Sequence, residues 1–552
     1  MYNDAGRCED ALSLYKSCVF NEPSRAQSYF MEMTKEERYK YWLLNSSRIK
    51  DILDVYECNK DNDNLSVDIY NSLLFSKGVL LCYDKAVRDV VYKQSDTAII
   101  SHYELYNQVR SSFSLNRNNE YSEYQYKKLF DMCEKSERMI MDDIKEDIMR
   151  YMDSINVTFY DVIDALSDHS VAIEFCEGAA QNDYYAIITK KSLSSPIIVS
   201  LNNEAHWDSL LFVQQRLNNK LPFNYKDVWS PIDTYIEEGD TVYFAMDGVL
   251  HQINIENLAD SAGKMACEKY NLQRVSSTRQ ICRKHTKPNY NSVALFGGLN
   301  YEMNNMEMIV QNAQYQNHAV LTSRGLNIDS TERAGWKYLL GTKEEVQSIY
   351  KIFENQQVKT FLFTGNDGTE EAFKSLSGQH IPIIHIATHG FFFDDEKASD
   401  KKYFQAFDWS NKHLTDNSLQ RSGLIMSGGQ NAWLGGDILD DFEDGILLSE
   451  EIASMDLSGT DLVVLSACET GLGDITSDGV FGLQRAFKMA GVQTLVMSLW
   501  KVDDNATSLM MQTFYKHLLS GLSKREAFNL AQAAVRANYP EPYYWAGFVM
   551  LD

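Results

Sequence analysis

The chain changes texture once, near residue 156, and that change limits what it can fold into. Before it, glycine and proline are almost missing. Apolar residues return there at three- and four-residue steps between charges, as in MTKEERYKYWLLNSSRIKDILDVY and EKSERMIMDDIKEDIMRYMDSI, the period of amphipathic helices. After it, short apolar runs such as SVAIEFCEG, YYAIITK, DTVYFAMDG and NSVALFGGLN alternate with helical stretches, which predicts βαβ units and a mostly parallel sheet. A second set of such elements begins near Gly341. Thr342 and Glu345 have capping-box spacing before the helix EEVQSIYKIF, and then follow VKTFLFTG, EEAFKSL, PIIHIATHG, DLVVLSAC, VFGLQRAFKMAG and VQTLVMSLW. In VFGLQRAFKMAG, Val480, Leu483, Phe487 and Ala490 share one helical face, and Gly491 is placed to end the helix. The expected organisation is a helical region over 1–155, one α/β unit over 156–340 and another over 341–552.

The opening GRCEDALSLYKSCV has the Gly, Ala-Leu and Leu-Tyr spacing of a tetratricopeptide helix, in a single partial copy, as a truncated or degenerate array would leave. Residues 394–445 are polar, Gly-rich and long for a connector, and read as a surface excursion with a short strand at SGLIMSGG. Within it, Asp437, Asp440, Asp441, Glu443 and Asp444 read as a solvated acidic loop, with attraction of basic substrate residues as the alternative.

Charge and cysteine usage exclude several functions. With 52 Lys and Arg against 77 Asp and Glu, the net charge of −25 repels phosphate backbones and anionic membrane faces, so no direct nucleic-acid or membrane partner is expected. The longest apolar runs fall far short of the roughly 20 residues that span a bilayer, and MYNDAGRCED lacks a basic-then-apolar leader, so the expected location is cytoplasmic. Nine scattered cysteines without a CxxC pair suggest neither a zinc cage nor a disulfide framework.

Two segments carry chemistry, IIHIATHGFFF and LVVLSACETGLGD. In each, a buried-type strand runs into a small residue and then a reactive one: His389 followed by Gly390, and Cys468 followed by Glu469, Thr470 and Gly471. Parallel sheets gather their sites at the carboxyl ends of strands, so two residues far apart in sequence can face each other. An imidazole beside a thiol takes its proton and later protonates the leaving amine. The N–H groups of Gly390 and Cys468 are candidates for an oxyanion hole. A strand-ending cysteine is by itself more often buried and inert. Asp247 and His251 in MDGVLH lie near a strand end with no nucleophile in their motif and read as structural, and Ser466 is not set in G-x-S-x-G.

Several ordered motifs then point one way: FAMDGVLHQINIENL, RVSSTR, LFGGLNY, LLGTKEEV, HIATHGFFF, DGILLSEEIASMDLSGTDLVVLSACETGLG, GVFGLQRAFKMAGVQTLVMSLWKVDDNAT and YYWAGFVMLD. Together they resemble the CHAT family, caspase-like and separase-related cysteine proteases of clan CD that are often fused to tetratricopeptide repeats. The resemblance covers roughly residues 160–552 and implies an α/β caspase-like fold, with pseudo-protease and active protease halves behind an all-α region. It implies a His–Cys dyad at His389 and Cys468, cysteine endopeptidase activity and no metal or organic cofactor. It also implies a basic P1 pocket at Asp504, with Asp503 as the near alternative, although either carboxylate also suits the cap of a helix starting at Ala506. Ser277 and Arg279 in RVSSTR match a family segment and read as stabilising the sheet. The implied partners are a dedicated protein substrate, such as a gasdermin-like pore former in bacterial defence, and a regulator docking on the helical region. The competing reading is a catalytically silent scaffold that keeps the fold for interaction.

Overall fold

Apolar helical stripes need a surface to cover, and the N-terminal helices find one in the face of a sheet. The computed structural model describes residues 8–18, 22–57, 59–60, 62–115, 123–178, 183–201, 224–283, 288–315, 334–393, 417–436, 442–467, 473–476 and 479–552. The expected helical region is present, from Cys8–Cys18 to the long helix Glu123–Ile155 and the short Phe159–Ala165. Thr158 caps the last of these through a reciprocal box with Asp161. Phe30, Trp42, Tyr70, Tyr83, Ile144 and Phe159 form a core with Ala172, Cys176, Tyr185 and Ile187 of the following sheet.

That sheet contains β1 (Ser170–Glu177), β2 (Tyr184–Lys190), β3 (Ile197–Ser200), β4 (Thr241–Ala245) and β5 (Asn271–Val275), in the order β3-β2-β1-β4-β5. β1, β4 and β5 pair in parallel, while β2 pairs antiparallel with both β1 and β3. Its other face buries Val171, Ile173, Phe175, Trp229 and Phe244.

A second sheet has six strands: β6 (Ser292–Leu299), β7 (Lys359–Gly365), β8 (Ile383–Ala387), β12 (Leu462–Leu465), β15 (Thr494–Ser498) and β16 (Phe548–Leu551). Their order is β16-β15-β12-β8-β6-β7, parallel except for β16. Sequence texture grouped the strand NSVALFGGLN with the first unit, but β6 lies between β7 and β8. The second sheet therefore takes its first strand in chain order from Ser292–Leu299, ahead of residue 341. A buried strand reads alike in either sheet, and partner choice is not written in its local pattern. The surface excursion supplies β10 (Ser422–Ile425), as expected, pairing with β9 (Gly390–Phe392) and β11 (Ile446–Leu448) in a small antiparallel sheet. A two-stranded hairpin of β13 (Asp474–Thr476) and β14 (Gly479–Phe481) precedes the helix Leu483–Ala490. That helix ends at Gly491 in the left-handed conformation, φ +109°. Val480, expected on its face, belongs instead to β14.

Three polar joints hold these parts together. Helices Asp63–Ser76 and Val79–Tyr92 meet at Lys77, whose buried Nζ contacts Glu174 at 2.7 Å and donates to the carbonyls of Phe175 and Ala245. Arg279 reaches back to the carbonyls of Leu74, Lys77 and Gly78, so it clamps the helix pair to the sheet rather than stiffening the sheet itself. Ser277 and Thr278 satisfy Glu174 Oε1. Arg485 on the helix Leu483–Ala490 donates to Tyr39 Oη at 2.6 Å, and Arg88 donates to the Met489 carbonyl. The two large sheets abut at β5 and β16, where the Asp552 N–H donates to the Arg274 carbonyl at 3.0 Å.

Among the described residues no single helix is long and apolar enough to cross a membrane. The pair Asp63–Ser76 and Val79–Tyr92 passes such a test only together, across a 49° bend. Leu65, Ile69, Leu80 and Val91 of that pair are completely or almost completely buried in the helical core.

Candidate active site

His389 and Cys468 follow neighbouring parallel strands. β8 pairs with β12 so that Val464 stands opposite His385 and Leu465 opposite Ile386, and the Ser466 N–H donates to the Ile386 carbonyl at 2.9 Å. His389 comes two residues after β8. On the other tip Ala467 is the last described residue, its carbonyl accepting from Ser498 Oγ at 2.6 Å, and Cys468 lies outside the described residues.

The imidazole of His389 is half-buried and held from several sides. Its Nε2 lies 2.8 Å from the Lys337 carbonyl, and since a carbonyl only accepts, Nε2 carries the proton and Nδ1 keeps the lone pair. Trp336 packs on the ring at 4.7 Å between centroids and Tyr301 at 5.1 Å. Trp433, beside Trp336 at 4.7 Å, extends this aromatic wall towards Phe391 and Phe393. Burial lowers the His389 pKa below 6.5; the Lys337 hydrogen bond opposes that shift and the Lys501 charge adds to it. The ring is therefore a neutral base at pH 7.

Gly390 starts β9, opposite Leu424 of β10. The Ile425 N–H donates to the His389 carbonyl at 2.9 Å, the pattern of an antiparallel pair that leaves the Gly390 N–H outside this ladder. Asp503 is a cap: its Oδ1 accepts from the N–H groups of Asn505 and Ala506 at the start of the helix Asp504–Leu519. Asp504 is partly buried against Gly341, where a Cβ would meet its carboxylate at 2.6 Å. Burial first, then Asp503 and Glu345, raise its pKa, with Lys501 opposing. The structure thus separates the two carboxylates offered for one pocket, leaving only Asp504 without a capping duty.

Two other expectations change. Thr342 and Glu345 form no capping box, because the helix spans Leu340–Asn355: Thr342 Oγ1 accepts from the Gly298 N–H and donates to the Leu339 carbonyl. Glu345 instead points inward to Ser466 and His385. In the acidic run, Glu443 and Asp444 are buried rather than solvated, while Asp437, Asp440 and Asp441 lie outside the described residues. Lys374 Nζ draws Glu370, Glu443 and Glu451 together at 2.7, 2.7 and 2.8 Å. Although these three carboxylates are close enough to share a metal ion, the ammonium already occupies the point where they converge.

The first unit has a thiol of its own at a strand end. Cys176 near the end of β1 is buried, and burial followed by the Asp247 charge drives its pKa far above 9. Asp247 accepts from the N–H groups of Glu177 and Gly248. Loss of hydration, then Lys77 and Arg274, push the pKa of His251 down to about 3. Asp247 is thus engaged by backbone N–H groups at both Glu177 and Gly248.

An α/β unit with an imidazole at one strand tip, a neighbouring parallel strand running into Ser-Ala-Cys, and a helical region in front defines the caspase-like class. Residues 225–551, more than half of the chain, match the CHAT domain, and the protein belongs to that family. Curated relatives include tetratricopeptide repeat protein 28 of Homo sapiens, 37% identical over 92 residues, which are 16% of this chain and 4% of that protein. The Mus musculus protein of the same name is 33% identical over 108 residues, 19% of this chain and 4% of that one. The chain thus matches only a small part of these relatives. Among solved structures, the Saccharomyces cerevisiae separase–securin complex aligns over 99% of this chain and 40% of that chain, at 8% identity and a TM-score of 0.39. A second crystal structure of the same complex gives 96%, 37%, 10% and 0.33.

Proposed function

We propose that this protein is a cysteine endopeptidase in which His389 Nδ1 accepts the proton of the Cys468 thiol. The observation that carries the proposal is the His389–Lys337 hydrogen bond, which fixes the tautomer and leaves the basic nitrogen unengaged by that contact. β8 and β12 run 79 residues out of step in register, and His389 and Cys468 are separated by the same number in the sequence. In the proposed reaction the thiolate attacks the scissile carbonyl, and the oxyanion takes hydrogen bonds from the N–H groups of Gly390 and Cys468. The imidazolium then protonates the departing amine, and water hydrolyses the thioester to free the acid and the thiol.

The finer role rests on the family resemblance. It comprises cleavage of a dedicated protein partner, such as a gasdermin-like effector in bacterial defence, by a cytoplasmic enzyme governed through its helical region. A basic P1 residue would meet the Asp504 carboxylate in a charge-assisted contact. A peptidyl electrophile with Lys or Arg at P1 tests the reading. Labelling should disappear in Cys468→Ala and persist in Cys282→Ala, whose thiol burial pushes up to about 11. Equal labelling of both variants would establish a scaffold instead. Loss of the basic preference in Asp504→Ala would tie the pocket to that residue.

A further inference from the structure

A polar side chain inside a buried parallel strand is costly unless it is partnered, and β8 carries one. His385, with no exposed surface, is met at its two ring nitrogens by groups from two helices. Its Nδ1 lies 3.0 Å from Tyr515 Oη on the helix Asp504–Leu519. Its Nε2 lies 3.0 Å from Glu345 Oε1 on the helix Leu340–Asn355, a close polar contact without hydrogen-bond alignment. The other oxygen, Glu345 Oε2, accepts from Ser466 Oγ at 3.1 Å. Glu345 and Ser466 are both more than nine-tenths buried. The order Ser–Glu–His differs from that of a hydrolytic triad, because the serine donates to the carboxylate and never meets the imidazole.

The placement gives this chain its meaning. Ser466 directly follows β12 and stands two residues before Cys468, while His385 stands four residues before His389. Glu345 belongs to the helix whose preceding segment supplies the Lys337 carbonyl to His389. One buried carboxylate therefore touches the strand that leads to the proposed nucleophile and the strand that leads to the proposed base. Its own helix is continuous with the residue that orients that base.

We infer that Glu345 is a positioning residue whose bridge between Ser466 and His385 sets the Cys468-bearing strand tip relative to His389, an inference that rests on the peptidase reading above. Ser466 is its partner on the nucleophile side. Neither residue touches substrate.

Alkylation of Cys468 in the full chain by iodoacetamide, followed between pH 5 and 9 by mass spectrometry of its peptide, reads the geometry without a known substrate. Ser466→Ala should slow alkylation at pH 7 about tenfold, as misplacing one member of a reacting pair does. Ser466→Thr, which restores the hydroxyl, should stay within about threefold of wild type on the same scale. Glu345→Gln should slow it as well and move the pH profile towards that of an isolated thiol. His389→Asn should flatten the acid side of the profile whatever happens at Glu345. Wild-type rates and profiles in both Ser466→Ala and Glu345→Gln, with His389→Asn impaired, would overturn the positioning role and leave the dyad intact. If His389→Asn also matches wild type, the dyad fails and the positioning role with it. Because Ser466→Ala removes a single oxygen, it keeps the test decisive if Glu345→Gln does not fold.

Discussion

The two α/β units place similar chemistry at their strand ends and treat it oppositely. In the first, Cys176 is sealed under the helical region, its pKa driven far up, and the nearby Asp247 carboxylate is spent on backbone N–H groups. In the second, the His389 imidazole is only half-buried, is held by a carbonyl and remains a neutral base. The contrast teaches that a reactive residue type at a parallel strand tip is only a precondition. Hydration and the partner of the second polar atom decide whether it can react.

The sharpest way to break this contrast is at His389. His389→Asn should reduce cleavage of a peptide substrate by about 10²–10⁴-fold, the usual worth of a positioned base. If the proposed activity holds, the acid limb of the unaltered protein's rate profile should lie below pH 6.5, since burial lowers this pKa. An acid limb above pH 7 would contradict the assignment. Cys176 offers the reciprocal test: it should resist iodoacetamide in the native chain, and alkylation as fast as that of Cys468 would erase the distinction between the units.

Next in size is the joint that seals the first unit. Lys77→Ala leaves Glu174 buried and unpaired, and chemical denaturation should show a loss of about 3–5 kcal/mol. A change below 1 kcal/mol would mean that the helical region is not fastened there.

A smaller effect should come from the acidic cluster of the second unit. Burial is the main cause that pushes Glu443 up to about 7, against the attraction of Lys374. A carboxyl raised on folding makes the native state bind more protons than the unfolded one between its two pKa values. Its stabilising contribution is therefore complete below about pH 4.5 and declines as pH rises towards 7. Measured as the difference in Tm between wild type and Glu443→Gln, that decline should run across this window, and a difference growing with pH would refute it. The smallest change belongs to Asp503→Ala, which removes a cap and should cost about 1 kcal/mol in a denaturation experiment without altering P1 preference.

Much of this was legible in the residues. The helical period before residue 156, the strand character of β8 and β12 and the capping glycine at 491 all follow from local pattern. Partnership was less legible. Thr342 and Glu345 have the spacing of a capping box, yet Glu345 is drawn inward by Ser466 and His385, residues more than 35 positions away that no local rule connects. The out-of-place polar residue in IIHIATHG was the available signal, since an imidazole in an apolar strand needs a buried partner. Glu443 and Asp444 looked solvated because acidic runs usually are. Lys374 reversed that for Glu443 by offering one ammonium to several carboxylates, and Asp444 accepts from the Ile446 N–H. Nothing in AGWKYL announced that Lys337 would present its carbonyl to His389.

The central place of β8 and β12 in one sheet has a consequence for a chain cut between β9 and β10. Each fragment would keep strands hydrogen-bonded into the other, with Val464 still opposite His385 and Gly423 still opposite Phe391. Such a nicked molecule should run as two bands under denaturing electrophoresis yet elute as a single particle from a sizing column.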